Sequence, residues 1–208
     1  MIKASTLILF LMALLAWLTA CSGGLRSGAP PEQIYVLHAG AAATGTPLPA
    51  VLAVPRPAVQ PGLDTDRIAL LRASNELDYF AASRWGDSLP RVVEALALQT
   101  LQGGDGFATT LSAERVALRG DFELLLTVRR FEAEYPVGDA LPSAQVAIDC
   151  VLVTGLPRRV LGRCDGLATQ PAADNRMGKI VDALDIAAQR ALAEVRSKAV
   201  ALARATPK

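Results

Sequence analysis

The sequence predicts a single α+β domain with a mainly antiparallel sheet and two helices packed on one of its faces. Three observations predict this class. Short β-branched and aromatic runs, separated by Gly and Pro clusters, occupy much of the chain. Two longer segments instead repeat apolar residues at helical spacing. The order is early strands, a helix, further strands and a closing helix, which favours one layered domain.

The first 20 residues are predicted to be a lipoprotein signal peptide. Lys3 is the only charge before an apolar run that extends through Leu18, as in an export signal. Leu18-Thr19-Ala20-Cys21 has the pattern of a lipobox, where a signal peptidase cleaves before a cysteine that carries diacylglycerol. An uncleaved transmembrane anchor is the alternative, but the run is short for a span of about 20 residues. We therefore expect Cys21 to be the lipidated residue that anchors the protein to a membrane.

Residues 21–31 are predicted to form a flexible tether, because they are rich in Gly, Ser and Pro. Residues 32–205 would then form the domain. Ser22 follows the lipidated cysteine, where Asp would indicate retention at the inner membrane. The serine at this position therefore favours attachment to the outer membrane, on its periplasmic side.

The charge balance excludes one class of partner. Removal of the leader takes away only Lys3, which leaves 20 Lys and Arg against 20 Asp and Glu. A neutral protein lacks the basic face that phosphate binding requires, so we expect no nucleic acid partner. The lipid anchor, not charge, would make the membrane contact.

The first half of the domain contains short strands and one helix. The strand segments are 34–37, 51–54, 67–71 and 77–80, the last two joined as a hairpin by a turn at Asn75 and Glu76. Pro55, Pro57 and Pro61 prevent regular pairing and indicate an extended segment at a solvent edge. The helix begins near Asp87 and ends at Gly103, with a proline in its first turn.

The pattern of the second half predicts one strand, then three consecutive antiparallel strands, and a closing helix. One strand is expected within 107–118, and the longest covers 121–134, with alternate apolar residues on one face. A second apolar face at period two follows in 146–152, and a turn at Gly155 leads into 158–167. The closing helix, 175–203, has an Ala-rich buried stripe.

The motifs of common enzymes are missing. His38 is the only histidine, and no serine lies in a Gly-x-Ser-x-Gly elbow. No phosphate-binding or dinucleotide fingerprint occurs. Asp64 and Asp66 could bind a cation, but such a pair more often caps a turn, and further regularly spaced oxygen ligands are missing. We expect no enzymatic activity, no metal and no cofactor.

Cys150 and Cys164 are the two cysteines that remain after Cys21. A turn centred near Leu156 and Pro157 would place them directly opposite each other on neighbouring antiparallel strands. An even pair in an oxidising compartment favours a disulfide. Two free buried thiols, packed as small apolar side chains, are the alternative.

Three segments in the middle third of the chain are distinctive: Leu63-Asp64-Thr65-Asp66-Arg67-Ile68, Leu77-Asp78-Tyr79-Phe80, and Ser83-Arg84-Trp85-Gly86-Asp87-Ser88-Leu89-Pro90. Together they resemble the ABC-type transport auxiliary lipoproteins. Arg67 and Trp85 are the most specific of these residues. The lipobox, the Tyr35-Val36-Leu37 strand and the Leu-rich helix after Pro90 are also similar to the family pattern.

The resemblance implies an outer-membrane lipoprotein that serves an ABC system for intermembrane lipid transport without being an enzyme. Its partner would be an MCE-domain (MlaD-like) protein that reaches across the periplasm, and a homo-oligomer around such a partner is compatible with this role. Tyr79, Phe80 and Trp85 are candidate contact residues, because aromatic side chains are enriched at interface hot spots. Core packing where the hairpin meets the helix is the alternative for all three.

Two other functions compete with this interpretation. The chain could be an outer-membrane lipoprotein that acts as an assembly factor or pilot for a secretin or β-barrel, since the tether and size suit such a module. It could also be a periplasmic hydrolase that uses His38.

Overall fold

The computed structural model describes residues 31–41, 44–114, 120–138 and 140–206. The leader, Cys21 and the tether up to residue 30 lie outside the described residues. Within the described ranges, one ten-stranded sheet and two helices form, and neither helix is both long and apolar enough to cross a membrane. The elements are β1 (Gln33–Tyr35), β2 (Leu48–Val54), β3 (Ala58–Val59), β4 (Arg67–Leu71), β5 (Leu77–Trp85), α1 (Leu89–Leu101), β6 (Phe107–Ser112), β7 (Phe122–Glu134), β8 (Ser143–Thr154), β9 (Val160–Arg163), β10 (Gly166–Pro171) and α2 (Met177–Arg204).

The sheet is built around β7. Along one edge, β8 pairs with it antiparallel, and β9 and β10 pair antiparallel with the far edge of β8. Along the other edge, β2, β3 and β4 each pair parallel with β7. β6 extends the sheet beyond β2, while β5 and then β1 extend it beyond β4. The α+β class is confirmed: the longest ladders are antiparallel as predicted, within a sheet that is mixed as a whole.

The proline-rich segment has a different place from the one predicted. β2, β3 and β4 follow one another along β7 as a single interrupted strand, so the segment lies beside the central strand. Pro55, Pro57 and Pro61 fall in its interruptions. Because proline has no N–H to donate to a ladder, β3 between them is only two residues long.

Both helices cover one face of the sheet, as predicted. α1 lies over β2 and β6, where the Thr110 hydroxyl donates to the Leu98 carbonyl oxygen at 3.0 Å. α2 lies over β8 and β10 and also contacts α1. Its Ala-rich stripe lets the helix approach so closely that a Cβ at Gly166 of β10 would clash with the main chain of α2. We call the opposite face of the sheet, which carries no helix, the open face.

The β4–β5 hairpin contains two backbone positions in the left-handed region. Asn75 in the turn has a φ of 59°, which asparagine tolerates better than most residues. Ala82 in β5 has a φ of 51° and lies in a large bulge of that strand. Five residues of β5 there span the distance that two residues of β4 span, since Arg67 opposes Arg84 whereas Ala69 opposes Tyr79. The bulge therefore changes which face of the sheet the later residues of β5 occupy.

The third strand of the predicted meander is divided into β9 and β10 at Cys164 and Asp165. The Cys164 N–H donates to the Cys150 carbonyl at 2.9 Å, while the Cys150 N–H donates to the Asp165 carboxylate at 2.8 Å. A side chain thus replaces a main-chain acceptor, and regular pairing stops. The two cysteines face each other with their Cα atoms 4.8 Å apart, are fully buried and are joined by a disulfide.

Candidate docking surface

The three candidate aromatic residues of β5 lie in three different environments. Trp85 is 1% exposed and packs edge-on against Phe131 of β7, with ring centroids 6.0 Å apart. The ring is therefore enclosed between hairpin and sheet in this structure, as in the core-packing alternative, and contact of Trp85 with a partner stays a prediction. Tyr79 and Phe80 are half-buried neighbours in a strand, so their side chains lie on opposite faces of the sheet. The three residues do not form one contact patch.

Phe80 lies on the helix side of the sheet, at the end where α2 begins. Its ring packs against Tyr135, with centroids 6.4 Å apart. The Tyr135 hydroxyl donates to Asn175 at 2.7 Å, and burial raises the pKa of this tyrosine. Phe80 therefore helps to hold the start of the closing helix against the sheet.

Tyr79 lies on the open face, where two contacts fix its ring. The Arg67 guanidinium lies over the ring at 4.0 Å from its centroid, a cation–π contact. The hydroxyl donates to the Gly62 carbonyl at 2.8 Å. The hairpin register accounts for the pairing, because Tyr79 opposes Ala69 and Arg67 is the diagonal neighbour on the same face. Arg67 and Tyr79 thus form one unit whose side chains keep accessible atoms. Tyr79 is the residue before Phe80 in the segment that resembles the family pattern.

A charged cluster continues from this unit across the open face. β7 has a bulge at Arg129, after which Arg130, Glu132 and Glu134 occupy the open face. The Arg130 guanidinium lies 2.6 Å from the Glu132 carboxylate and 3.2 Å from that of Glu134. Glu132 is buried, and this burial raises its pKa in spite of the arginine beside it. Sequence reasoning missed these residues. Their one visible signal was a charged residue at every second position, 130, 132 and 134.

A shallow dish of about 570 Å³ lies next to this cluster on the open face. Its charged walls are Arg129 and Arg163, which share the carboxylate of Asp149 at 3.0 and 3.7 Å. Arg163 also pairs with Asp165 at 2.9 Å. Burial by itself would raise the pKa of Asp165, but the Cys150 N–H and the Arg163 guanidinium hold it below its ordinary value. Because the charges are paired, the dish suits contact with a protein surface better than capture of a single ion.

The residues with catalytic or metal-binding chemistry are engaged in hydrogen bonds and ion pairs at the surface. His38 contacts Asp185 of α2 through its ring nitrogen at 3.2 Å. Asp64 and Asp66 each have an arginine partner, Arg56 at 3.2 Å and Arg84 at 3.3 Å. Among the described residues, no group of three His, Cys, Asp or Glu side chains could hold a metal ion.

Comparisons with known proteins give a family through one family model and a fold through solved structures. The family model described as "ABC-type transport auxiliary lipoprotein component" matches residues 35–196, which include β5, both cysteines of the disulfide and most of α2. No match was found among curated protein sequences.

Solved structures with a similar fold include protein XCC0632 from Xanthomonas campestris, of the DUF330 family. It is 19% identical with a TM-score of 0.75, over 83% of this chain and 97% of that one. A structure titled only as an uncharacterized protein is 15% identical with a TM-score of 0.57, over 82% and 97% of the two chains. The PelC dodecamer from Paraburkholderia phytofirmans is 19% identical with a TM-score of 0.44, over 74% and 93%. At these identities, the first two establish the fold alone.

Proposed function

Because the chain belongs to the family of ABC-type transport auxiliary lipoprotein components, we propose that it is a non-enzymatic accessory of an ABC system that moves lipid between membranes. Its lipidated Cys21 anchors it to the outer membrane, facing the periplasm. Its partner is an MCE-domain protein that spans the periplasm. The observation that carries this proposal is the family match over residues 35–196, joined to the lipobox before it.

The open face is the docking surface in this proposal. It is a large rigid surface without a helix, on which the Arg67–Tyr79 unit provides a fixed aromatic and a cation. Tyrosine and arginine are enriched among residues that dominate binding free energies. The paired charges around Arg130 and Asp149 supply the polar surroundings typical of an interface rim.

Co-purification from membrane extracts tests the partner. The full-length chain should bring down an MCE-domain protein, and Arg67→Glu should weaken this association at least tenfold, because the new carboxylate cannot stack on Tyr79. Arg176→Glu is the matched control, since Arg176 is an exposed arginine paired with Asp174 outside the open face. We expect the control to bind like the unaltered chain.

Two outcomes would contradict the proposal. Equal binding by both variants would remove the open face as the docking surface. A stable complex with a secretin or a β-barrel, without any MCE-domain protein, would favour the assembly-factor function instead.

The anchor has its own test. Cys21→Ala should leave a folded protein that no longer fractionates with outer membranes, because the diacylglycerol attachment site is gone. Membrane fractionation with an antibody against the chain measures this. If the variant still sediments with outer membranes, Cys21 is not what anchors the protein.

A further inference from the structure

A groove of about 300 Å³ runs between β1 and α1, away from the open face and the disulfide. One wall is the chain at Tyr35, Val36 and Leu37, and the other is the outer side of α1. Buried Leu37 and Leu96 form its floor, where they are 7% and 4% exposed. The volume is at the lower limit of typical small-ligand sites.

The larger part of the groove's exposed lining is apolar. The side chains that α1 presents there include Val92, Ala95 and Leu96, and Gln99 lies farther along the helix. Val36 on the opposite wall is 64% exposed, so an apolar side chain at the edge of the groove is left open to solvent. An open groove with this lining suits a hydrocarbon chain better than a wholly polar ligand.

One cation and one anion line the same groove. Arg91 has a carboxylate neighbour, Glu114, at the long distance of 4.0 Å, so this ion pair contributes little. Asp87 precedes α1, and its carboxylate accepts the Ser88 N–H at 2.6 Å. A positive and a negative group together match the phosphate and the ammonium of a zwitterionic headgroup.

The position of the groove in the chain keeps it near the membrane. Gln33, where β1 begins, is only 12 positions after Cys21. An extended chain of this length spans at most about 43 Å. If Cys21 is lipidated, the start of β1 cannot be farther than this from the bilayer, and the groove lies beside β1, so membrane lipids are the most abundant amphiphiles nearby.

We propose that the groove between β1 and α1 binds one acyl chain of a zwitterionic membrane phospholipid, with the headgroup at Arg91 and Asp87. This inference rests on the proposed function in lipid transport, and it adds that the accessory handles lipid itself. The apolar lining, the pair of charges and the tether length each point to this class of ligand.

Photo-cross-linking in cells tests the inference with the full-length, lipidated chain. A benzophenone amino acid at position Gln99 should form adducts whose mass is that of a phosphatidylethanolamine. Ile186, an exposed apolar residue on α2, is the control for labelling at any surface. Ile34, which is 56% exposed on β1 but outside the groove, is the control for simple contact with the bilayer.

A second variant tests whether the groove itself is the site. Ala95→Trp fills the channel from an exposed helix position and should lower the phospholipid adduct at Gln99 at least tenfold. If the tryptophan reduces the amount of folded protein, Ala95→Lys places a charge at the same position and should give the same loss. Equal labelling at Gln99 and Ile34, adducts with protein only, or an adduct unchanged by both substitutions would overturn the inference.

The same extracts separate this inference from the proposed function. An MCE-domain partner that co-purifies while Gln99 gives no lipid adduct would overturn the inference alone. A lipid adduct that is lost in Ala95→Trp, in a chain that brings down no MCE-domain protein, would support the groove and contradict the proposed partner.

Discussion

Replacing Cys150 and Cys164 together by alanine should lower the free energy of unfolding by about 3 kcal/mol. The two residues are 14 positions apart in sequence, so the disulfide closes a loop of about 15 residues in the unfolded chain. Loss of the loop constraint raises the entropy of that unfolded chain, which for about 15 residues corresponds to about 3 kcal/mol. Both side chains are fully buried, so the lost sulfur contacts add to this figure.

Urea unfolding of a chain that begins at Ser22 measures the effect without the thiol of Cys21. The midpoint should fall and the dependence of the free energy on urea should steepen, because the uncrosslinked unfolded chain exposes more surface. Adding a reductant to the unaltered chain should shift its curve toward that of the double variant. The double variant, which has no cysteine left, should not respond and is the control.

Two results would refute this reasoning. Mass measurement of the unaltered protein under denaturing conditions could detect two alkylatable thiols, which would mean that the cysteines are free in the native protein. A double variant within about 0.5 kcal/mol of the unaltered chain would mean that the bridge does not constrain the unfolded state as the loop-entropy relation requires.

Three further predictions test the fold, on Trp85, on Gly166 and on Asp165. Trp85→Ala should cost about 3–5 kcal/mol of unfolding free energy in the same urea assay, since the ring is buried; a cost below about 1 kcal/mol would contradict its place in the core. Gly166→Ala should destabilise by about 1–3 kcal/mol because its Cβ meets the main chain of α2, whereas Gly178→Ala in open space should be neutral or stabilising by up to about 1 kcal/mol. In the folded protein the pKa of Asp165 is held below its ordinary 3.8. The ionised carboxylate therefore stabilises the fold at any pH above its pKa in the unfolded chain, and this stabilisation is lost as the pH falls through its pKa in the folded protein. Thermal midpoints should therefore fall on acidification from about pH 5 to about pH 2, less steeply in Asp165→Asn; identical slopes would exclude this contribution.

Local sequence features predicted the helices and the hairpin well. The closing helix was predicted over 175–203 and is Met177–Arg204, because the apolar repeat and the preceding polar turn are local signals. The first helix likewise agrees to within a few residues. Asn75 marked the turn between β4 and β5 because few other residues adopt the left-handed conformation there.

The short turn at Leu156 and Pro157 predicted the pairing of the two cysteines, although the ladder between them and the turn is irregular. Next to the turn Val153 opposes Val160, and a one-residue shift before Leu152 brings Cys150 opposite Cys164. By contrast, the parallel pairing of β2, β3 and β4 with β7 joins segments that are far apart in sequence. No local pattern specifies such partners, since loop closure and packing of the whole sheet select them.

The sequence by itself predicted the two helices, most of the strands and a lipid anchor at Cys21, and it lacks the common catalytic motifs, because periodicity, turn residues and processing signals act over short distances. The tertiary structure alone decided which side chains of β5 are accessible. The bulge around Ala82 shifts the strand against β4, and with period-two alternation such a shift changes the face on which a residue lies. For that reason Trp85 is enclosed in the core while Tyr79 remains on the open face beneath Arg67.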